Sequence, residues 1–276
     1  MIRYVNVPFN SAGFSTGVAR MPASLGFEGI TVPVSVDPSR GVHGLIAEPG
    51  LGRMVADVEK VVRETFIAGD IPVLIGGDCP IMLGALRAID DPGLVFIDGH
   101  EDAWQPTPDV RGEASDSELG IAIGTVRSPV MPMVSPERVV ALGPRDADEI
   151  TQFGQERVDH LVLMRDDVWV NNASVDELVA TAAAATASSW WLHVDLDVLS
   201  TDALAAVDYP QPGGLSWQTL QHVTDTLIGT TGCRGASVVV YNPDLDEGAS
   251  SPRIAAFIRR LSEKLADAQQ LEGARP

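Results

Sequence analysis

Three short carboxylate-rich segments hold the residues best suited to chemistry. They are Gly76-Gly77-Asp78-Cys79, Asp98-Gly99-His100-Glu101-Asp102 and His193-Val194-Asp195-Leu196-Asp197. Each follows an apolar run: PVLI at 72–75, LVFI at 94–97 and WWL at 190–192. A carboxylate removed from water without a partner is strongly disfavoured, so acids grouped beside buried strands require compensation, which one divalent cation supplies to several at once. In an extended backbone side chains alternate, so residues 98, 100 and 102 share one face, and 193, 195 and 197 share another. The first face offers Asp, His and Asp, and the second His, Asp and Asp. Taken singly, each segment also reads as a hydrogen-bonded polar strand end or a pair of loop caps. Gly76-Gly77-Asp78-Cys79-Pro80 ends a strand and opens a helix, a place where backbone amides bind anions. The Lys followed by Ser or Thr of a phosphate loop is absent. A lone Cys at such a turn reads first as a small buried side chain.

The elements that must position these segments follow from the apolar pattern. Continuous apolar runs predict strands at 2–7, 72–76, 94–98, 138–142, 160–164, 190–195 and 236–241. Runs of this kind suit strands covered on both faces. Helices are predicted at 51–69, 80–89, 174–188, 215–229 and 252–270, with Ser174 and Ser216 placed as N-caps. The alternation predicts a mainly parallel sheet between two helical layers, a three-layer α/β/α sandwich formed by one domain over residues 1–276. In open sheets of this class the ligand site lies outside the carboxyl ends of the strands, where all three acidic segments fall. The polar loop at 103–117, with Pro106, Pro108 and Gly112, has the length of a functional or a merely mobile loop. The polar tail after about 264 is expected to fray.

Composition narrows the partners. The 276-residue chain is 45% hydrophobic and 21% charged, ordinary for a globular protein. It carries 38 acidic against 19 basic residues, a formal charge of −19, which repels phosphate backbones and argues against nucleic acid as a partner. Two cysteines make no disulfide framework, which suits a reducing cytoplasm. No apolar run is long enough to span a membrane, and the start shows no secretory signal. A small-molecule substrate is the expected partner, and self-association is left open.

In this order the three segments resemble the motifs of the arginase–agmatinase–formiminoglutamase superfamily, the ureohydrolases, which read GGDH, DAHxD and SxDxDxxDP. The resemblance extends to Val7-Pro8-Phe9-Asn10-Ser11-Ala12-Gly13 with Gly17-Val18-Ala19 and Pro22, to Gln211-Pro212-Gly213-Gly214-Leu215, and to Tyr241-Asn242-Pro243. It implies an arginase-like fold and a binuclear site, usually Mn²⁺, with a bridging hydroxide. By motif position Asp98 and Asp195 would bridge the two ions, Asp102 would complete one, and His100 with Asp197 the other. Cys79 stands where the family has its remaining His ligand. A thiolate there favours softer ions such as Zn²⁺ or Fe²⁺. Three outcomes follow: Cys79 ligates, one metal position is weak, or the site holds a single ion.

Other departures bear on the substrate. Val198-Leu199-Ser200-Thr201-Asp202 replaces the family's later Asp-Pro, Val240 stands at the Glu of its EVNP stretch, and Leu119 precedes Gly120 where the family has His. The Cys in the first motif, with DGHxD and HxDxDVL, is similar to Nω-hydroxy-L-arginine hydrolases. Together these imply a metal-dependent hydrolase of a linear amidine or guanidino C–N bond whose substrate is not plain arginine. Asp102 is the candidate proton carrier. His193, in place of the usual Ser, is the candidate partner of a ligating carboxylate or proton shuttle. Glu101, Glu113, Asp116 and Glu118 read as solvated loop acids, with Glu113 or Glu118 the one to meet substrate. Trp104 could wall a pocket. The rival readings are a deacylase using one ion held by Asp98, His100 and Asp195, and a non-catalytic scaffold.

Overall fold

The computed structural model describes residues 1–11, 17–35, 37–107 and 112–273. Ala12 and Gly13 of the opening segment and Pro108 of the polar loop lie outside the described residues.

Eight strands, β1 (Ile2–Val7), β2 (Ile30–Thr31), β3 (Ile71–Gly76), β4 (Gly93–Ile97), β5 (Val139–Gly143), β6 (Leu163–Asp166), β7 (Trp190–Asp195) and β8 (Cys233–Val239), form one sheet in the order β2-β1-β3-β8-β7-β4-β5-β6. Every pairing between neighbours is parallel. The helices are α1 (Met21–Leu25), α2 (Glu48–Ile67), α3 (Ile81–Arg87), α4 (Glu118–Ile123), α5 (Ala147–Gln152), α6 (Asp167–Asn172), α7 (Val175–Ala182), α8 (Trp217–Ile228) and α9 (Ser251–Gly273). Helices α2 and α3 pack on each other, while α9 packs on α1 and α8, and α8 on α7 and α6. Both groups reach β3, which makes the expected sandwich of a parallel sheet between helical layers.

The central strands are the apolar runs of the sequence. Every residue of β3, β4, β5 and β7 is buried, as continuous rather than alternating hydrophobicity requires. Ser174 accepts a hydrogen bond from the Glu177 amide and forms a capping box with its side chain. Ser216 accepts one from the Thr219 amide.

The register sets the site. Ile97 lies opposite Val194, so Asp98 and Asp195 leave β4 and β7 at one level. Asp195 lies opposite Val239 and Ile75 opposite Val238, which brings the Gly76–Cys79 turn to the same end of the sheet. The chain crosses from β3 to β4 over the gap that β7 and β8 later fill, so the three motifs ring the middle of the sheet at its carboxyl edge.

Several expectations are corrected. The tail is helical as far as Gly273, because Leu261 and Leu265 of α9 are buried and anchor the turns beyond them. The strand expected at 160–164 starts at Leu163 and lies at the sheet edge; Val158 and Val162 are buried through loop packing instead. The alanine-rich helix stops at Ala182, since the chain must turn back to begin β7, and the Ser189 carbonyl already accepts from the Gly93 amide. Helices α1, α4, α5 and α6 have five or six residues, too few to show a 3.6-residue period.

Candidate metal centre

Asp98, the first residue after β4, is the hub. One carboxylate oxygen accepts from the His100 amide at 2.8 Å, while the other, Oδ2, is buried without a hydrogen-bond partner. Ligand atoms of Asp98, His100 and Asp197 lie within 4.8 Å of one another. Asp98 also belongs to a second group of the same compactness, with Cys79, Glu118 and His193. The spacing is close to that of donors sharing an ion, since two metal–donor bonds of about 2.0–2.3 Å span up to about 4.6 Å. Gly99 makes the first group possible. A Cβ there would lie 2.9 Å from Asp197 Oδ1, which instead accepts from the Gly99 amide at 3.1 Å.

Extended geometry does not continue through the second motif. Strand β4 ends at Ile97, and Asp102 has φ +43°, a left-handed backbone that turns the chain. Asp102 still lines the same cavity as His100, and its carboxyl meets that of Glu118. Apart from the Asp102 carboxyl, the Glu118 oxygens meet no side-chain partner. Asp195 has both oxygens engaged: Oδ1 accepts from the Asp197 amide at 2.7 Å and Oδ2 from the Cys79 thiol at 2.7 Å. Asp102 and Asp195 thus stand beside the two compact groups rather than in them. His193 is fully buried, stacked on Phe96 at 5.2 Å with Nδ1 on the Ser237 hydroxyl at 2.7 Å, and its Nε2 is without a partner.

The electrostatics are those of acid against acid. Burial, then the Asp197 carboxylate, pushes Asp98 up to about 7. Burial and neighbouring carboxylates hold Asp102, Glu118 and Asp195 well above the usual range, and the Cys79 thiol likewise. Burial works against charge on His100, but Asp197 and Asp98 outweigh it and hold the imidazolium to high pH. Its Nδ1 is 3.0 Å from Asp197 Oδ2. Burial opposes charge on Asp197 too, yet His100 and Arg145 keep its carboxyl below the usual range. Burial lowers His193 to about 3, so its ring is neutral. Orphaned carboxylate oxygens, a neutral imidazole nitrogen and a thiol converging in a buried space are a donor set that fits divalent cations.

A cavity of about 360 Å³ reaches this centre and is lined by Cys79, His100, Asp102, Asp195 and Asp197. Its other walls include Trp104, Phe153, Glu113, Asp116, Asp208 and Tyr209, with no Lys or Arg among the described residues that line it. The Trp104 and Phe153 rings are 5.5 Å apart. Sequence reasoning named Glu113 and Asp116 of this wall but not Asp208, and misjudged how deeply the acids lie. Glu113 and Glu118 are fully buried rather than solvated, and Glu113 accepts from the Tyr209 hydroxyl at 3.1 Å. Glu101 is buried too, held by Arg157 and the Val158 amide. The apolar run Leu119–Ile123 directly after Glu118 was the available signal that this acid is drawn inward. Val240 lines the cavity with φ +64°, a strained backbone for a β-branched residue, fixed by its amide's bond to the Gly77 carbonyl.

Known proteins share the fold. An arginase from Bacillus caldovelox is 25% identical over 217 residues, covering 75% of this chain and 71% of that protein. An N(omega)-hydroxy-L-arginine amidinohydrolase from Streptomyces lavendulae is 24% identical over 235 residues, covering 84% of this chain and 81% of the relative. The crystal structure of the Bacillus caldovelox arginase superposes with a TM-score of 0.79 at 19% identity, over 95% of this chain and 97% of that one. The model of the arginase family matches residues 34–262, and the chain belongs to that family.

Proposed function

We propose that this protein is a metal-dependent hydrolase of a guanidino or amidino C–N bond in a small cationic molecule. The observation that carries the reading is the buried, partnerless Oδ2 of Asp98, set among His100, Asp197 and Cys79 beside an acid-lined cavity. A divalent ion bound there supplies a water acidified enough to attack near neutral pH. Asp98, His100 and Asp197 would hold it, with Cys79 and Asp195 alongside; Mn²⁺ suits the carboxylates and Zn²⁺ or Fe²⁺ the thiol.

The chain's own residues do the rest. Glu113, Asp116 and Asp208 give a cation its counter-charge in the cavity, a role Val240 cannot fill. Trp104 and Phe153 offer aromatic faces to a planar cation. Asp102, whose carboxyl is held well above the usual range by burial and by Asp98 and Glu118, lies on the cavity wall where it can pass a proton to the leaving amine. His193 lies behind that wall, its Nδ1 on Ser237 and a ring nitrogen within 4.8 Å of Asp98 and Glu118, where it can steady the buried acids.

The test is turnover by protein reconstituted with Mn²⁺, Zn²⁺ or Fe²⁺. The panel is arginine, its Nω-hydroxy derivative, agmatine and formimino-glutamate, with urea, hydroxyurea or formamide as the measured product. The reading expects a cationic guanidino compound other than arginine to be the best substrate. Absence of turnover on the whole panel, with bound metal verified, would sink it.

A further inference from the structure

The loop that carries Asp208 is stitched to the segment just after β8. The Asn242 backbone amide donates to the Ala206 carbonyl at 2.9 Å, and Asn242 Nδ2 donates to Asp208 Oδ1 at 2.5 Å. The side-chain amide of Asn242 has one usable orientation. Its Oδ1 accepts from the Asp244 backbone amide at 3.0 Å, which leaves Nδ2 for Asp208. Gly17 packs on the same group, and a Cβ there would overlap Asn242 Oδ1. Asn242 is buried and stands off the cavity wall, whereas the half-buried Asp208 lies on it. Val240, two residues before Asn242, shares that wall, and its amide donates to the Gly77 carbonyl. A buried side chain is thus devoted to aiming one carboxylate into the cavity.

The acids of the cavity differ in what they have left to offer a ligand. Both Glu113 oxygens accept from the Tyr209 hydroxyl, Glu149 accepts from the Gln211 side-chain amide at 2.6 Å, and Asp78 Oδ2 accepts from the amide and the hydroxyl of Ser11. Among the described residues Asp208 is bonded through Oδ1 alone, so Oδ2 and a second lone pair on Oδ1 stay open. The cavity wall also has an acceptor that the chain does not meet. Asp146 is 2% exposed, and its Oδ1 is buried without a partner. Buried acceptors are almost always satisfied, so this one independently points to a ligand that brings N–H groups.

We infer that Asp208 is the specificity-determining acid of this cavity, aimed by Asn242 to hold the N–H groups of a planar cation beside the apolar Val240. The inference rests on reading the cavity as the substrate site of a guanidino or amidino compound, and it names the residue that selects for charge. A carboxylate fixed through one oxygen accepts the forked N–H groups of such a cation in a charge-assisted pair, which a neutral urea cannot form. Asn242 is a positioning residue: it acts on the ligand only through the direction in which Asp208 points.

The experiment measures, by calorimetry on the full chain with Mn²⁺ added, binding of methylguanidinium and of its neutral isostere N-methylurea. The parent should prefer the cation. Asp208→Asn keeps the shape and removes the charge; it should weaken methylguanidinium about ten- to a hundredfold, the scale of a hydrogen bond to a charged group, and leave N-methylurea unchanged. Val240→Glu places a carboxylate on the same wall, so adding it to Asp208→Asn should restore the preference. Asn242→Ala should weaken the cation less than Asp208→Asn does, and in turnover should raise KM while kcat holds, the mark of lost binding rather than lost chemistry. Equal affinity of the parent for the two probes, or an undiminished preference in Asp208→Asn, overturns the inference. If the preference depends on Asp208 but no guanidino or amidino compound is hydrolysed, the hydrolase reading falls and the subsite stands. If turnover occurs and Asp208→Asn keeps the preference, only this inference falls.

Discussion

Asp98 and Glu101 are three residues apart and both fully or nearly fully buried, yet the protein treats them in opposite ways. Glu101 is neutralised locally. Arg157 Nε donates to it at 2.5 Å and the Val158 amide at 3.2 Å. At the far end of the sheet, Asp70 before β3 is handled likewise, by Arg3 Nη2 at 2.5 Å and the terminal ammonium at 3.1 Å. Asp98 instead faces Asp197, Asp102 and Glu118, and its cationic neighbour is His100. Arg145 comes near but spends its hydrogen bonds on backbone carbonyls of Pro212, Asp197 and Leu199. A fold that pairs its buried acids elsewhere has left this group open to an outside cation, and that difference separates a structural carboxylate from a functional one.

Asp98→Asn tests the contrast most severely. Asp98 belongs to both compact groups, so the variant should lose bound metal and cut turnover by about a thousandfold, the scale of removing one preorganised electrostatic group. In chelator its thermal midpoint should match or exceed that of the parent, because a buried charge among like charges is gone. A lower midpoint would place Asp98 with the structural acids. Glu101→Gln should behave in the opposite sense. It should leave metal content unchanged and cost about 2 kcal/mol in urea unfolding, less than a fully buried pair because Arg157 is 35% exposed.

The contrast also explains what could be read from the sequence. The parallel sheet and the meeting of the three motifs were legible because β3, β4 and β7 are built on apolar runs followed within a few residues by acids. The caps at Ser174 and Ser216 were legible from local spacing. Burial of Glu101 and Glu113 was not, since an acid in a polar loop looks solvated until its distant partner is known. Arg157 is 56 residues from Glu101, and Tyr209 is 96 from Glu113. The turn at Asp102 was hidden for a different reason: a positive φ at an Asp leaves no mark on the alternation of residue types, so the extended reading of 98, 100 and 102 had nothing to contradict it.

The smallest effects lie in the pH dependence of stability, where the two kinds of acid have opposite signs. Asp98 is raised from 3.8 to about 7, and Asp146 from 3.8 to about 6, both chiefly by burial. Between those values the unfolded chain has released protons that the folded metal-free protein still holds. For these two groups the unfolded state binds fewer, so their contribution falls as pH rises from about 4 to about 7, offset in part by His193, lowered from 6.5 to about 3, whose proton only the unfolded chain holds. Asp70 is held below 3.8 by Arg3 and the terminal ammonium, so its contribution is present above that value and is lost as pH drops through its folded pKa. Thermal midpoints in chelator from about pH 3 to about pH 8 should therefore rise and then decline. Asp70→Asn should weaken the acidic limb alone and Asp98→Asn make the neutral limb shallower without removing it, since Asp146 still contributes. Saturating Zn²⁺ should reverse the neutral limb, because the ion replaces protons on the same groups and binds more tightly as they are removed. If chelated protein gains stability steadily through neutrality, the acids around Asp98 are ionised without cost, and the cluster has no need of a metal.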